Sequence, residues 1–191
     1  MGYTLGGGRR GEMRIDLHNC SLRPWRAGDE ASLVVHANDR DVWLNLRDQF
    51  PHPYTAGDAE AWVKFASSQA QPTSLAIEVD SDAVGGVSLK LHDDVERVSA
   101  EIGYWLGRGY WNRGIMTAAV RALTRYGFEQ FSLTRVYAVP FATNVASHRV
   151  LEKAGYVREG LLRRSAVKND IVLDQVLYAM TDHDLVSDSV G

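Results

Sequence analysis

Cysteine is nearly missing: Cys20 is the only one in 191 residues. No intrachain disulfide can form, which suits a reducing cytoplasm rather than a secreted scaffold. Cys20 alternates with polar residues, so a buried, inert thiol is expected rather than a nucleophile. Positive charge is not in excess either. Lysine and arginine number 21 against 24 acidic residues, a net charge of -3, which argues against non-specific nucleic-acid binding. No apolar run approaches a membrane span. Residues 1–12 hold three consecutive glycines and two arginines but no apolar core, so they do not read as a signal peptide. They are expected to be a flexible extension or tag remnant. The six histidines never fall at metal-ligand spacing with cysteine or carboxylates, so no metal is expected. Neither a nucleophile-elbow Gly-x-Ser-x-Gly nor a phosphate-binding Gly-Lys-Ser/Thr is present.

What is there is ordinary globular material, 45% hydrophobic and 24% charged, long enough for one domain with a sizeable core. Leu17–Trp25 reads as a strand. A helix follows, with Asp29 as its cap, then a second piece over Asp41–Asp48, stopped by Pro51 and Pro53. A further helix over Ala56–Ser68 is capped by Thr55, with Ala59, Trp62, Val63 and Phe65 near one face. From Ser74 the apolar period becomes two. Ser74–Asp80, Val84–Leu91 and Val98–Leu106 form an antiparallel meander. A helix from Gly114 to about Gln130, a strand over Leu133–Val139, a helix over Ala142–Ala154 closed by Gly155, and a hairpin of Val157–Val167 with Ile171–Met180 complete the order. The fold class is α+β: one domain over 13–185, a mixed, mostly antiparallel sheet with helices on both faces. The tail from Thr181, and 186–191 in particular, is expected to be loose.

The stretch from Tyr104 to Leu123 organises the rest. A strand ends near Leu106, glycines punctuate the loop at 107, 109 and 114, and a helix opens with Met116, Ala119, Val120 and Leu123 at helical spacing. The first amides of a helix lack internal partners and lie at the positive end of its dipole, so Asn112, Arg113, Gly114, Ile115, Met116 and Thr117 could hold a phosphate or pyrophosphate by their N–H groups. Gly114 has no Cβ to obstruct a close approach. On glycine pattern alone, a plain connector and an anion cradle both stand.

Two other positions draw notice. Ser147, Val150, Leu151 and Ala154 share one helix face, which places a hydroxyl on an apolar side. Asn144, one turn earlier, is most simply an N-cap for the Ser147 amide. Glu101 shares a strand face with Gly103 and Trp105. It could be a general base or a solvated residue paired with Arg97 or Lys90, and spacing alone leaves both open.

The segment EIGYWL…GYWNRGIMTAAVRAL, followed by NVASHRVLEKAGY, resembles the GNAT N-acetyltransferase superfamily, and more narrowly its ribosomal-protein N-terminal acetyltransferase (RimJ/RimL-like) branch. The likeness runs from about Met13 to Leu185. It implies acetyl-CoA as co-substrate, with the pyrophosphate on the amides of Asn112–Thr117 and pantetheine along the backbone of Tyr104, Trp105 and Leu106. Asn144 would bond the pantetheine arm, and Lys153 would lie near the nucleotide phosphate. Glu101 would accept the amine proton, and Ser147 would protonate the leaving thiolate. Trp111 stands where the wider family has Gln or Arg, as is common in that branch. Met116 and Asn112 also depart from the family motif. The resemblance implies transfer to a primary amine, a protein N-terminal α-amine first. In the helical pair Trp43, Asp48, Tyr54 and Trp62 could line an acceptor site, or the aromatics could be core, the reading preferred for Trp62. A small-molecule amine (an aminoglycoside or polyamine), or a non-catalytic acyl-CoA-binding module, are the alternatives. The acceptor's identity, the acyl preference and a homodimeric state are left open.

Overall fold

The computed structural model describes residues 13–187. The expected flexible extension, 1–12, and the last part of the expected loose tail, 188–191, lie outside the described residues. In chain order the elements are β1 (Ile15–Asp16), β2 (Ser21–Pro24), α1 (Glu30–Ala37), α2 (Arg40–Trp43), α3 (Ala56–Ser67), β3 (Ser74–Val79), β4 (Asp82–Leu91), β5 (Ser99–Leu106), α4 (Ile115–Phe131), β6 (Arg135–Ala138), α5 (Val145–Ala154), β7 (Val157–Lys168), β8 (Ile171–Thr181) and α6 (Asp182–Ser187). The strands form one sheet in the order β1-β2-β3-β4-β5-β6-β8-β7. The β5–β6 pair is parallel, while β1–β2, β2–β3, β3–β4, β6–β8 and β7–β8 are antiparallel. This is the α+β sheet expected from the change of period at Ser74.

Chain contacts divide the molecule into two compact units: the chain up to Ser88 with Tyr104–Ala119, and Leu89–Gly103 with the chain from Val120 on. In the first unit, the expected strand over Leu17–Trp25 is two strands. Ile15 pairs with Leu22, and the Leu17 amide reaches back to the Cys20 carbonyl at 2.9 Å, closing a turn at His18–Asn19. The helix after Gly28 forms as expected, but Asp29 does not cap it; its carboxylate is committed elsewhere. The piece expected over Asp41–Asp48 ends at Trp43, because tighter i→i+3 bonds from Asn45 to Val42 and from Leu46 to Trp43 turn the chain out of the helix. Thr55 opens α3 with a full capping box to Asp58. The buried stripe of α3 is Ala59, Val63 and Ala66, not Phe65, which is 58% exposed. These small residues pack with Trp25, Leu33, Ala37, Tyr54 and Ala76 into one apolar cluster, with Trp62 and Trp105 against it. Cys20 is buried, and burial pushes its thiol up to about 11.

In the second unit Leu123, Val136 and Leu151 are fully buried, each such side chain contributing roughly 1.5–3 kcal/mol. Gly155 ends α5 at φ 99°, a left-handed position that suits a residue without Cβ, and its amide returns to the helix. Where it is described, the tail opens with the short helix α6. Just before α6, the Thr181 amide and hydroxyl both donate to the Asp184 carboxylate, each at 2.7 Å. Among the described residues no helix is long and apolar enough to cross a membrane, and no three His, Cys, Asp or Glu side chains cluster as a metal site requires.

Candidate active site

The loop after β5 is tied to the strand end and to neighbouring segments of its unit. Gly107 donates its amide to the Val84 carbonyl at 2.8 Å, and a short 3-10 turn spans Arg108–Tyr110. The Trp111 indole then donates to the Leu106 carbonyl at 2.8 Å, stitching the loop back to the strand end. That bond takes up one lone pair of a carbonyl expected to face pantetheine. Asn112 (φ 61°) and Gly114 (φ 74°) are both left-handed, on either side of Arg113. An added Cβ at Gly114 would find nothing nearer than Asn19 Nδ2 at 3.8 Å. The backbone angle, not lack of room, is therefore what calls for glycine there.

The helix begins at once. Ala118 donates to the Gly114 carbonyl at 3.1 Å, so the amides of Ile115, Met116 and Thr117 have no carbonyl one turn back within α4. Ile115 and Met116 bury their side chains, while Asn112, Arg113 and Gly114 stay exposed. The apolar side chains thus anchor the helix start and leave its backbone donors to the outside. Asn19, in the β1–β2 turn, clamps this geometry by donating to the Arg113 carbonyl at 2.7 Å; its own Oδ1 is buried with no hydrogen-bond partner. Arg113 lies 5.2 Å from the Tyr110 ring centroid, and Tyr110 meets His36 edge-on at 5.4 Å. Burial lowers the His36 pKa, a shift that Asp82 opposes. Arg108 bonds Asp41 and lies 3.8 Å from Asp39, linking the loop to the start of α2. Asn19, His36 and Arg108 were not foreseen, because each acts through a partner at least 67 residues away in the chain.

Within the second unit, Glu101 is half-buried and stands in register with Tyr137, the last parallel pair of β5 and β6. Asn144 caps α5 by accepting the Ser147 amide at 3.1 Å, the simpler of its two readings. Ser147 is 8% exposed and shares its inward face with Leu151 and Ala154. Lys153 is exposed in the last turn of α5, and its carbonyl takes a hydrogen bond from Arg121. Tyr104 and Trp105 belong to the loop's own unit. Trp105 is half-buried and meets Phe50 at 5.6 Å. Of the expected acceptor-site residues, Tyr54 is buried core, with burial lifting its hydroxyl to about 12. Trp62 packs edge-on against Trp25 at 6.2 Å. Trp43 stacks on His52, and Asp48 is exposed.

A strand ending in an amide-presenting loop, a helix opening from it and a capped helix after the parallel strand β6 are the parts of an acyl-CoA-dependent transferase fold. The profile of the acetyltransferase (GNAT) domain matches residues 20–157, and the chain belongs to that family. It is 38% identical over 101 residues to YdaF of Bacillus subtilis (strain 168), covering 53% of this chain and 55% of that one. To the ribosomal-protein-serine acetyltransferase of Escherichia coli (strain K12) it is 29% identical over 100 residues, covering 52% and 55%. The chain spans about half the length of these curated relatives. The solved structure of RimL, the ribosomal L7/L12 alpha-N-protein acetyltransferase in complex with coenzyme A, shares the fold at a TM-score of 0.78 with 18% identity, covering 88% of this chain and 98% of that one.

Proposed function

We propose that this chain transfers the acetyl group of acetyl-CoA to a primary amine, a protein N-terminal α-amine by preference. The observation that carries the reading is the loop at Asn112–Thr117. Its left-handed residues, buried anchors and open helix amides are what a pyrophosphate needs: several N–H donors on one short stretch, at the positive end of a helix. The residues fit the group, and the amides that would hold it are those of Asn112, Arg113, Gly114, Ile115, Met116 and Thr117. The backbone of Tyr104, Trp105 and Leu106 would pair with pantetheine. Asn144 and Lys153 would take the pantetheine arm and nucleotide phosphate.

In this reading Glu101, directly or through water, accepts the amine proton. The neutral amine attacks the thioester carbonyl, and a strand amide near Trp105 or Leu106 meets the developing oxyanion. The Ser147 hydroxyl gives its proton to the departing thiolate. Orientation of the two substrates is the larger part of the rate. Cytoplasmic residence belongs to the same proposal. The α-amine preference draws on the relatives named for ribosomal-protein substrates.

Thiol release from acetyl-CoA, measured against a panel of peptides with free N-termini and a panel of aminoglycosides and polyamines, tests the proposal. Turnover on peptides at least tenfold above any small amine is expected. The reverse preference transfers the assignment to small-molecule acceptors. Coenzyme A binding with no turnover on either panel overturns the enzyme reading in favour of a binding module.

A further inference from the structure

We propose that Tyr137 and His92 are the proton exit of Glu101, an inference that rests on the base role given to Glu101 above. Glu101 and Tyr137 are register partners on parallel strands, so their side chains leave the same face of the sheet from backbones about 4.8 Å apart. His92 follows β4, and its amide bonds the Ser99 carbonyl at 3.2 Å, two residues before Glu101 on β5. Its ring Nε2 lies 2.9 Å from the Tyr137 hydroxyl, and the two rings stack with centroids 5.7 Å apart and planes 21° from parallel. In the sheet order β5 lies between β4 and β6. A side chain from the end of β4 therefore meets one from β6 across the strand that carries Glu101.

The chemistry of the pair suits a relay. A tyrosine hydroxyl donates and accepts at one oxygen, and imidazole accepts at one nitrogen and releases from the other. The Arg135 guanidinium, itself bonded to Glu159, sits 5.9 Å from the Tyr137 ring and favours negative charge building on that oxygen. His92 is half-buried, and exposed Asp93 and Asp94 follow it, so the path ends at water.

The steps balance as proton transfers alone. The amine gives its proton to the Glu101 carboxylate as the new N–C bond forms. Glu101 passes that proton to the Tyr137 oxygen while Tyr137 gives its own to His92 Nε2. The imidazolium then loses the Nδ1 proton to solvent, and exchange with water restores the starting tautomer. Tyr137 and His92 act through Glu101 and are its positioning residues.

The test uses the full chain with saturating acetyl-CoA and its best amine. Tyr137→Phe keeps the ring and removes only the hydroxyl. It should lower kcat about tenfold with the KM for acetyl-CoA unchanged. His92→Ala should show a similar loss, restored by free imidazole in solution, with thermal midpoints of both variants matching the parent. If Glu101→Gln is impaired while Tyr137→Phe and His92→Ala keep full kcat, the relay is overturned and the base role survives. A loss in His92→Ala that imidazole does not restore also overturns it, because the role is then structural. Full activity in Glu101→Gln removes the base assignment and the relay with it.

Discussion

The corner where β2, β3 and α1 meet and the loop after β5 treat polarity in opposite ways. In the corner Arg23, Asp29 and Glu78 are buried at 4%, 5% and 7% exposure. Arg23 grips both Asp29 oxygens at 2.8 Å and bonds Glu78, which also receives Arg14 at 2.8 Å and Arg26 at 3.0 Å. Asp29 further accepts the Arg26 amide at 2.9 Å. Each charge is spent on a neighbour. In the loop, the backbone donors from Asn112 to Thr117 lie at a helix start with no carbonyl one turn back. A closed network holds a scaffold, while a row of open donors is suited to a charge from outside. The contrast is thus between polarity closed on itself and polarity left open, which the proposed function assigns to a ligand.

The largest effect should come from opening the closed network. Arg23→Met leaves Asp29 and Glu78 buried without their main partner and should cost about 3–5 kcal/mol, read as a lower urea midpoint. Specific activity of the folded fraction should stay near that of the parent, since the loop is untouched. The pH dependence has a definite sign. Burial alone would raise the Glu78 pKa, but hydrogen bonds and charge from Arg23 and Arg14 outweigh it and hold the group at about 2, against 4.5 ordinarily. A carboxylate lowered on folding stabilises fully above its unfolded pKa, and that stability is lost as pH falls through the folded value. The urea midpoint should therefore fall between about pH 4.5 and pH 2, and Glu78→Gln should flatten that fall. An equally steep fall in Glu78→Gln would mean that other carboxylates carry the acid sensitivity.

Next in size is closing the open donors. Gly114→Ala forces a Cβ onto φ 74° and should cost about 1–2 kcal/mol of strain. The chain's remedy is to turn the loop amides away, so the KM for acetyl-CoA should rise about tenfold, with a kcat change under twofold at saturation. A KM equal to the parent's would detach the loop from acyl-CoA binding.

How much of this could be read from sequence follows the same division. Local signals were legible. The change of period at Ser74 marked the meander, Thr55 and Asn144 announced their helices, and glycine spacing marked the loop between β5 and α4. Each depends on residues within a turn or a strand of one another. The Thr181–Asp184 bond is equally local, between residues three apart. The buried network was not legible, since Arg23 and Glu78 are 55 residues apart and their pairing needs the β2–β3 register. The same holds for Asn19 on Arg113 and for His92 on Tyr137, 94 and 45 residues apart. Aromatics are ambiguous in sequence for a related reason. In one dimension Tyr54 and Trp62 read either as a binding face or as core; Tyr54 is buried in the cluster of Trp25 and Ala59, and Trp62 packs half-buried against it.

Asn144 gives the smallest effect and the sharpest division, because it sits on both sides of the contrast. Its side-chain oxygen is already bonded to the Ser147 amide, as in the closed corner, yet the family resemblance assigns it to the pantetheine arm. Asn144→Ala loses the cap and should cost about 1 kcal/mol, whichever role is real. Asn144→Asp separates them, because aspartate caps a helix as well as asparagine does and keeps the acceptor, while losing the amide donor. If Asn144 serves only the helix, the Asp variant should match the parent in both thermal midpoint and KM for acetyl-CoA. If its amide also donates to the pantetheine arm, the midpoint should hold while that KM rises about three- to tenfold, the worth of one hydrogen bond. The second outcome is expected, since the cap occupies Oδ1 and leaves Nδ2 to donate.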